Sequence, residues 1–102
     1  MKKVKENQTQ SIIENLEALK AIAHPLRLQI ISFIHENTEV NVNKIYNTLN
    51  LEQSITSQHL KIMRNAGVVI SRKDERYVFY SINYALLAQI GASLIALTPT
   101  SE

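Results

Sequence analysis

Apolar and polar positions separate most cleanly over residues 51–67. Thr56, Leu60 and Met63 recur at i, i+4 and i+7, one face of a 3.6-residue helix, and Ile55, Ile62 and Ala66 extend that face. Gln53, Ser54, Ser57, Gln58, Lys61 and Arg64 fall on the other side. The spacing predicts a helix over about residues 54–66, roughly 18–20 Å long. Gly67 stands where such a helix stops, at the position that favours left-handed backbone.

The chain before it reads as three helices. Residues 1–10 are polar and are expected to form a flexible N-terminal segment. Ser11-Ile12-Ile13-Glu14 has the form of a capping box, with Ser11 as N-cap. Ile12, Leu16, Leu19 and Ala23 then recur at helical spacing. His24-Pro25 marks a break and a restart, with Pro25 at a first helical position. Leu28, Ile30, Ile31, Phe33 and Ile34 make the second helix apolar on more than one side, the mark of a helix central to a core. Asn37-Thr38-Glu39 reads as a short loop. The third helix starts near Asn41, with Val40 and Ile45 at hydrophobic-staple spacing, and stops at Asn50, a residue tolerant of left-handed backbone. Helix, tight turn and polar-faced helix is the helix-turn-helix arrangement.

After Gly67 the period changes. Residues 68–72 and 77–82 are rich in β-branched and aromatic side chains, separated by Lys73-Asp74-Glu75-Arg76, and predict a two-stranded hairpin with a charged tip. Asn83 is the expected N-cap of a last helix, whose stripe is Leu87, Ile90, Leu94 and Leu97, helped by Leu86 and Ile95; Pro99 ends it. Gly91 and Ala92 leave room for another helix to approach. The fold class is thus mainly α with a small β-hairpin, in the order helix-helix-helix-helix-strand-strand-helix. One domain over residues 11–98 and a tail at 99–102 complete the division.

Composition sharpens this picture in three places. At 102 residues and 45% hydrophobic the chain is one folded domain, small enough to gain from self-association. The net charge is only +2, but residues 53–73 hold Lys61, Arg64, Arg72 and Lys73 and no acid, whereas Glu6, Glu14, Glu17, Glu36 and Glu39 come earlier. A local basic face suits nucleic acid, and a solvated surface has the same charge pattern. No cysteine is present, which removes disulfides and thiolate metal sites, and no apolar stretch follows the basic start, so no signal peptide is read. Cytoplasmic location is the expectation. No charge lies between Arg76 and Glu102, yet the helical part there is about 15 residues, short of the roughly 20 that a bilayer needs. An interface helix is the better reading.

The candidate chemistry is binding rather than catalysis. Gln and Ser can reach base edges, and Lys and Arg can reach phosphates or guanine. Arg72, Lys73 and Arg76 suit a phosphate backbone beside the hairpin, although Asp74 and Glu75 at its apex oppose it. Ser57 and His59 are two apart on a helix and point in different directions, and two glycines cannot make a phosphate-cradling loop, so no enzyme is expected.

His24-Pro25-Leu26-Arg27-Leu28-Gln29-Ile30, residues 51–67 and Tyr77-Val78-Phe79-Tyr80-Ser81-Ile82 together resemble the ArsR-type winged helix-turn-helix repressors over about residues 16–97. Ser57-Gln58-His59-Leu60-Lys61 followed by Ala66-Gly67-Val68-Val69 is the most specific part. The resemblance implies double-stranded DNA and a second copy of the chain as partners. A homodimer would put two such helices into successive major grooves of an inverted-repeat operator. Its interface would come from the first and last helices, here Ile12, Leu16, Leu19, Leu87, Ile90 and Leu94. Base-reading positions carry over to Gln53, Ser54, Ser57, Gln58 and Lys61, with Arg64 alongside and Arg72, Lys73 and Arg76 on the wing. His59 matches the family pattern but shares a side with Ile55 and Ile62, which leaves it either a DNA contact or a packed, hydrogen-bonded histidine.

The departures bear on control. Where metal-sensing members carry a Glu-x-Cys-Val-Cys run, this chain has Glu39-Val40-Asn41-Val42-Asn43, and amides are poor ligands for soft metals. Residues 83–97 hold no Asp, Glu, His or Cys for the family's zinc site. No metal or cofactor is therefore expected, with His35, Glu36 and Glu39 the one alternative cluster. An apolar region between first and last helices leaves a small organic effector open. The competing function is a winged-helix module that binds protein rather than DNA.

Overall fold

The computed structural model describes residues 6–97, with side chains followed over 9–96. The elements are α1 (Glu6–Ile22), α2 (Pro25–Asn37), β1 (Glu39–Asn41), α3 (Val42–Thr48), α4 (Gln53–Asn65), β2 (Val69–Asp74), β3 (Tyr77–Ile82) and α5 (Tyr84–Leu97). The expected tail and the end of the last helix at Pro99 lie outside the described residues, as do residues 1–5 of the expected flexible segment.

α1 begins earlier than the capping-box pattern indicates. Ser11 lies inside the helix, and Glu14 accepts a hydrogen bond from Gln10 Nε2 at 3.2 Å instead of reaching back to Ser11. Glu6, Gln8 and Gln10 are good helix formers, so a Ser-x-x-Glu step was carried through. At the next break His24 is extended, and its Nδ1 accepts from the Leu26 N–H at 3.1 Å, while Pro25 opens α2.

The loop expected at residues 37–39 is shorter than read, because Glu39–Asn41 is a strand. It makes the hairpin a three-stranded antiparallel sheet in the order β1–β3–β2. Thr38, at φ 66° and ψ −58°, turns the chain sharply out of α2 into it. Lys73 and Asp74, assigned to the tip, belong to β2, leaving a two-residue turn in which Glu75 has φ 56°. Val40 and Ser71 flank Tyr80 in register, and Val69 pairs with Ile82, so that Val40, Val69, Tyr80 and Ile82 turn into the core.

α3 and α4 both end in the same way. Asn50 (φ 55°) and Gly67 (φ 81°) take left-handed backbone, and the residue after each donates its N–H back into the helix: Leu51 to Tyr46 at 2.8 Å, Val68 to Met63 at 2.9 Å. A Cβ at Gly67 would also stand 3.3 Å from Leu86 Cδ2, so this turn lets α5 approach. Asn41 caps α3 by accepting from the Lys44 N–H at 2.9 Å. Asn83 caps α5 by accepting from Leu86 N–H at 3.2 Å, and its Nδ2 donates to the Gly67 carbonyl at 2.9 Å.

The core collects Ile30 and Ile34 of α2, Ile45 of α3, Leu60 and Met63 of α4, and Val68 and Val69, all essentially without exposure. α1 and α5 pack on one another beside it. Their contact contains a polar pair: Asn15 Nδ2 donates to Ser93 Oγ at 2.8 Å and to the Gln89 carbonyl at 3.3 Å. Among the described residues no helix is long and apolar enough to cross a membrane.

Candidate nucleic-acid interface

α4 stands on Thr56, Leu60 and Met63, which are fully buried. Thr56 fits an apolar floor because its hydroxyl donates to the Glu52 carbonyl at 2.8 Å. Ile55 and Ile62, assigned to the same face, are 40% and 43% exposed. They lie a residue to the side of the buried stripe, about 100° around the helix. Opposite the floor, Gln53, Ser54, Ser57, Gln58, Lys61 and Arg64 are all exposed on one element, with no acid in the helix. A rigid helix with its floor locked and a face of amides, hydroxyls and cations free can present donors and acceptors to base edges and positive charge to phosphates.

His59 is half-buried and faces α2, which favours the packed alternative. Arg27 Nε donates to His59 Nδ1 at 3.0 Å, and Arg27 Nη1 donates to the Ala21 carbonyl at 2.9 Å. The His24 ring lies 5.0 Å from that of His59. Burial first, then the charges of Arg27 and His24, hold the His59 imidazole below its ordinary value of 6.5. Neither Arg27 nor His24 stands out as a site residue from local sequence, because their partner is more than thirty residues away on another helix.

On the wing the three expected cations differ. Arg72 is occupied: its Nη2 donates to Glu39 Oε1 at 2.7 Å and its Nε to Oε2 at 3.2 Å, with Asp74 at 3.6 Å and the Phe79 ring 4.8 Å below. Arg76 lies over the Tyr77 ring at 5.8 Å. Lys73 is exposed. Glu39, named above only with His35 and Glu36 as a metal cluster, is instead the partner of Arg72, a pairing that the sequence reading missed.

The expected interface residues on α1 and α5 separate in the same way. Ile12, Leu16, Leu19 and Leu87 are half-buried and Leu94 is exposed, but Ile90, at 5% exposure, belongs to the chain's own core. Ile95 is 76% exposed and Ile13 is also exposed. The alternative metal cluster is pulled apart: His35 Nδ1 shares a 2.7 Å hydrogen bond with Tyr84 Oη, and Glu39 holds Arg72. Among the described residues no three such side chains are grouped to hold a metal ion.

The family model described as bacterial regulatory protein, arsR family, matches residues 24–71. The transcriptional repressor PagR of Bacillus anthracis is 40% identical over 74 residues, covering 72% of this chain and 73% of PagR. The transcriptional activator HlyU of Vibrio cholerae is 34% identical over 83 residues, covering 81% of this chain and 72% of HlyU. The crystal structure of PagR superposes with a TM-score of 0.72 at 33% identity, over 86% of this chain and 98% of that one. The structure of HlyU from Vibrio cholerae gives 0.68 at 32% identity, over 92% and 98%.

Proposed function

The chain belongs to the arsR family of bacterial regulatory proteins, and from that premise we propose that it acts in the cytoplasm as a dimeric repressor of an inverted-repeat operator. It is a DNA-binding transcriptional regulator. The observation that carries the reading is α4, whose floor of Thr56, Leu60 and Met63 is buried while its acid-free outer face is exposed. Gln53, Ser54, Ser57 and Gln58 read base edges; Lys61 and Arg64, with Lys73 and Arg76 of the wing, meet phosphates. The name of PagR supports repression as the direction of control. The exposed apolar side chains Ile13, Leu94 and Ile95, with half-buried Ile12 and Leu16, support α1 and α5 as the surface between two copies. Two α4 helices then enter the major groove about one helical turn apart.

Fluorescence anisotropy on two labelled duplexes, one from upstream of the protein's own gene and one scrambled, tests this across a salt series. Tight, steeply salt-dependent binding that favours the upstream duplex is expected. Lys61→Ala weakens binding to every sequence and reduces the salt slope by about 1 per half-site, whereas Gln58→Ala mainly lowers the preference for the upstream duplex. Equal or absent binding to both duplexes overturns the reading.

A further inference from the structure

We infer that Arg27, His59 and His24 form a latch that holds α4 against the α1–α2 junction and opens when the His59 imidazole is protonated. The latch rests on the DNA-reading role of α4.

One guanidinium joins three elements. Arg27, on α2, donates to the last-turn carbonyl of Ala21 on α1 and to His59 Nδ1 on α4. His24 sits at the junction, its Nδ1 occupied by the Leu26 N–H and its ring 5.0 Å from His59. Both hydrogen bonds need a lone pair on Nδ1. An imidazolium has N–H groups on both nitrogens and no acceptor. Protonating His59 therefore sets its N–H against that of Arg27.

Among the described residues no carboxylate offsets the added charge. The charges acting on the His59 ring are Arg27 and His24, with no carboxylate among them. On α1, Lys20 and Glu17 pair with each other. α3 and β2 also pack on α4, but Lys44, Arg72, Lys73 and Asp74 are not among the groups acting on the ring.

The sign follows. Burial and the two neighbouring charges depress the basicity of His59, so the latch is closed at neutral pH and opens as pH falls below 6.5. Protons bind the opened state more readily, so acid weakens both the latch and the pose of α4. A histidine touching phosphate behaves in the opposite way, since an imidazolium there tightens binding. His59 is thus a positioning residue that acts through the helix, while its neighbours Gln58 and Lys61 face outward.

The test is anisotropy of the full chain with the upstream duplex from about pH 7.5 to about pH 5.5 at fixed salt. Wild type should lose at least about tenfold in affinity, the lower end of what one hydrogen bond to a charged group is worth. The double variant His24→Asn, His59→Asn keeps an acceptor oxygen at both places, and asparagine is a good N-cap. It should bind like wild type at neutral pH and lack the acid loss. Nitrogen-15 NMR of the free protein supplies a readout without DNA: His59 should carry its proton on Nε2 and titrate below the ordinary value. Tighter binding in acid, an equal acid loss in the double variant, or a proton on His59 Nδ1 overturns the latch. If wild type binds neither duplex at neutral pH, the DNA reading fails. In that case, or if the double variant does not fold, the NMR titration alone decides the latch.

Discussion

Removing an acid from the back of the wing should tighten DNA binding. Glu39 holds Arg72 through two hydrogen bonds, at 2.7 and 3.2 Å. The hydrogen bond from Arg72 lowers the carboxyl below its ordinary 4.5, slight desolvation pushes the other way, and the charge of Arg72 adds to the lowering. At neutral pH the carboxylate is therefore ionised and cancels the guanidinium. Glu39→Gln keeps the side chain's shape and one acceptor oxygen but removes the acid that holds Arg72 most closely, leaving Asp74 at 3.6 Å, and so raises the positive charge of the wing by one. Each phosphate neutralised adds about 0.9 to the slope of log affinity against log salt, or about 3.5-fold over a fourfold change in salt. With two half-sites in a dimer the effect is roughly 12-fold. Anisotropy on the upstream duplex between about 50 and about 200 mM salt measures it. Thermal unfolding should hardly move, because both partners are solvent-exposed. Arg72→Ala alone leaves the Glu39 carboxylate uncancelled and should weaken binding, and in the Glu39→Gln background it should abolish the gain. An unchanged or shallower slope in Glu39→Gln would refute the reasoning, since Arg72 would then never reach phosphate.

Three further outcomes follow from particular contacts. Asn15→Leu leaves the Ser93 hydroxyl buried without its partner and should cost about 1–3 kcal/mol, measured by urea unfolding; adding Ser93→Ala should recover much of that loss. Thr38→Gly should stabilise the fold by about 1 kcal/mol, because a β-branched residue at φ 66° costs about 1–3 kcal/mol in strain against about 0.5–1 kcal/mol for glycine's entropy; a lower melting temperature would count against strain at that turn. Ile95→Glu, at the most exposed apolar position of α5, should convert dimer to monomer in sedimentation equilibrium and leave the far-ultraviolet circular dichroism unchanged. A dimer that persists would move the interface away from this end of the helix.

Much of the architecture was legible because its signals are local. Pro25, Asn41, Asn50, Gly67 and Asn83 each announce a boundary by their own backbone preference or capping chemistry, and each stands at one. β1 was not legible: its three residues exist as a strand only because β3, some forty residues later, pairs with them. Ser11 shows the reverse failure, a local pattern that a longer helix absorbed. At the candidate site the outward row of α4 came from periodicity alone. The breadth of its floor did not, since neighbouring elements decide how far round the helix burial reaches, and Ile55 and Ile62 fell outside. Arg27 with His59, and Glu39 with Arg72, are pairs between distant parts of the chain, which composition and spacing do not connect.

The order β1–β3–β2 also decides how the wing meets other copies of itself. An open sheet edge offers unpaired N–H and carbonyl groups, a template on which a strand of another molecule can add. β3, the most apolar of the three strands, has both of its edges covered. The outer edge on one side is β1, too short to template much. On the other it is β2, whose second half is Arg72, Lys73 and Asp74. These charges thus keep the sheet from growing, and a regulator can leave its wing bare to solvent without inviting fibres.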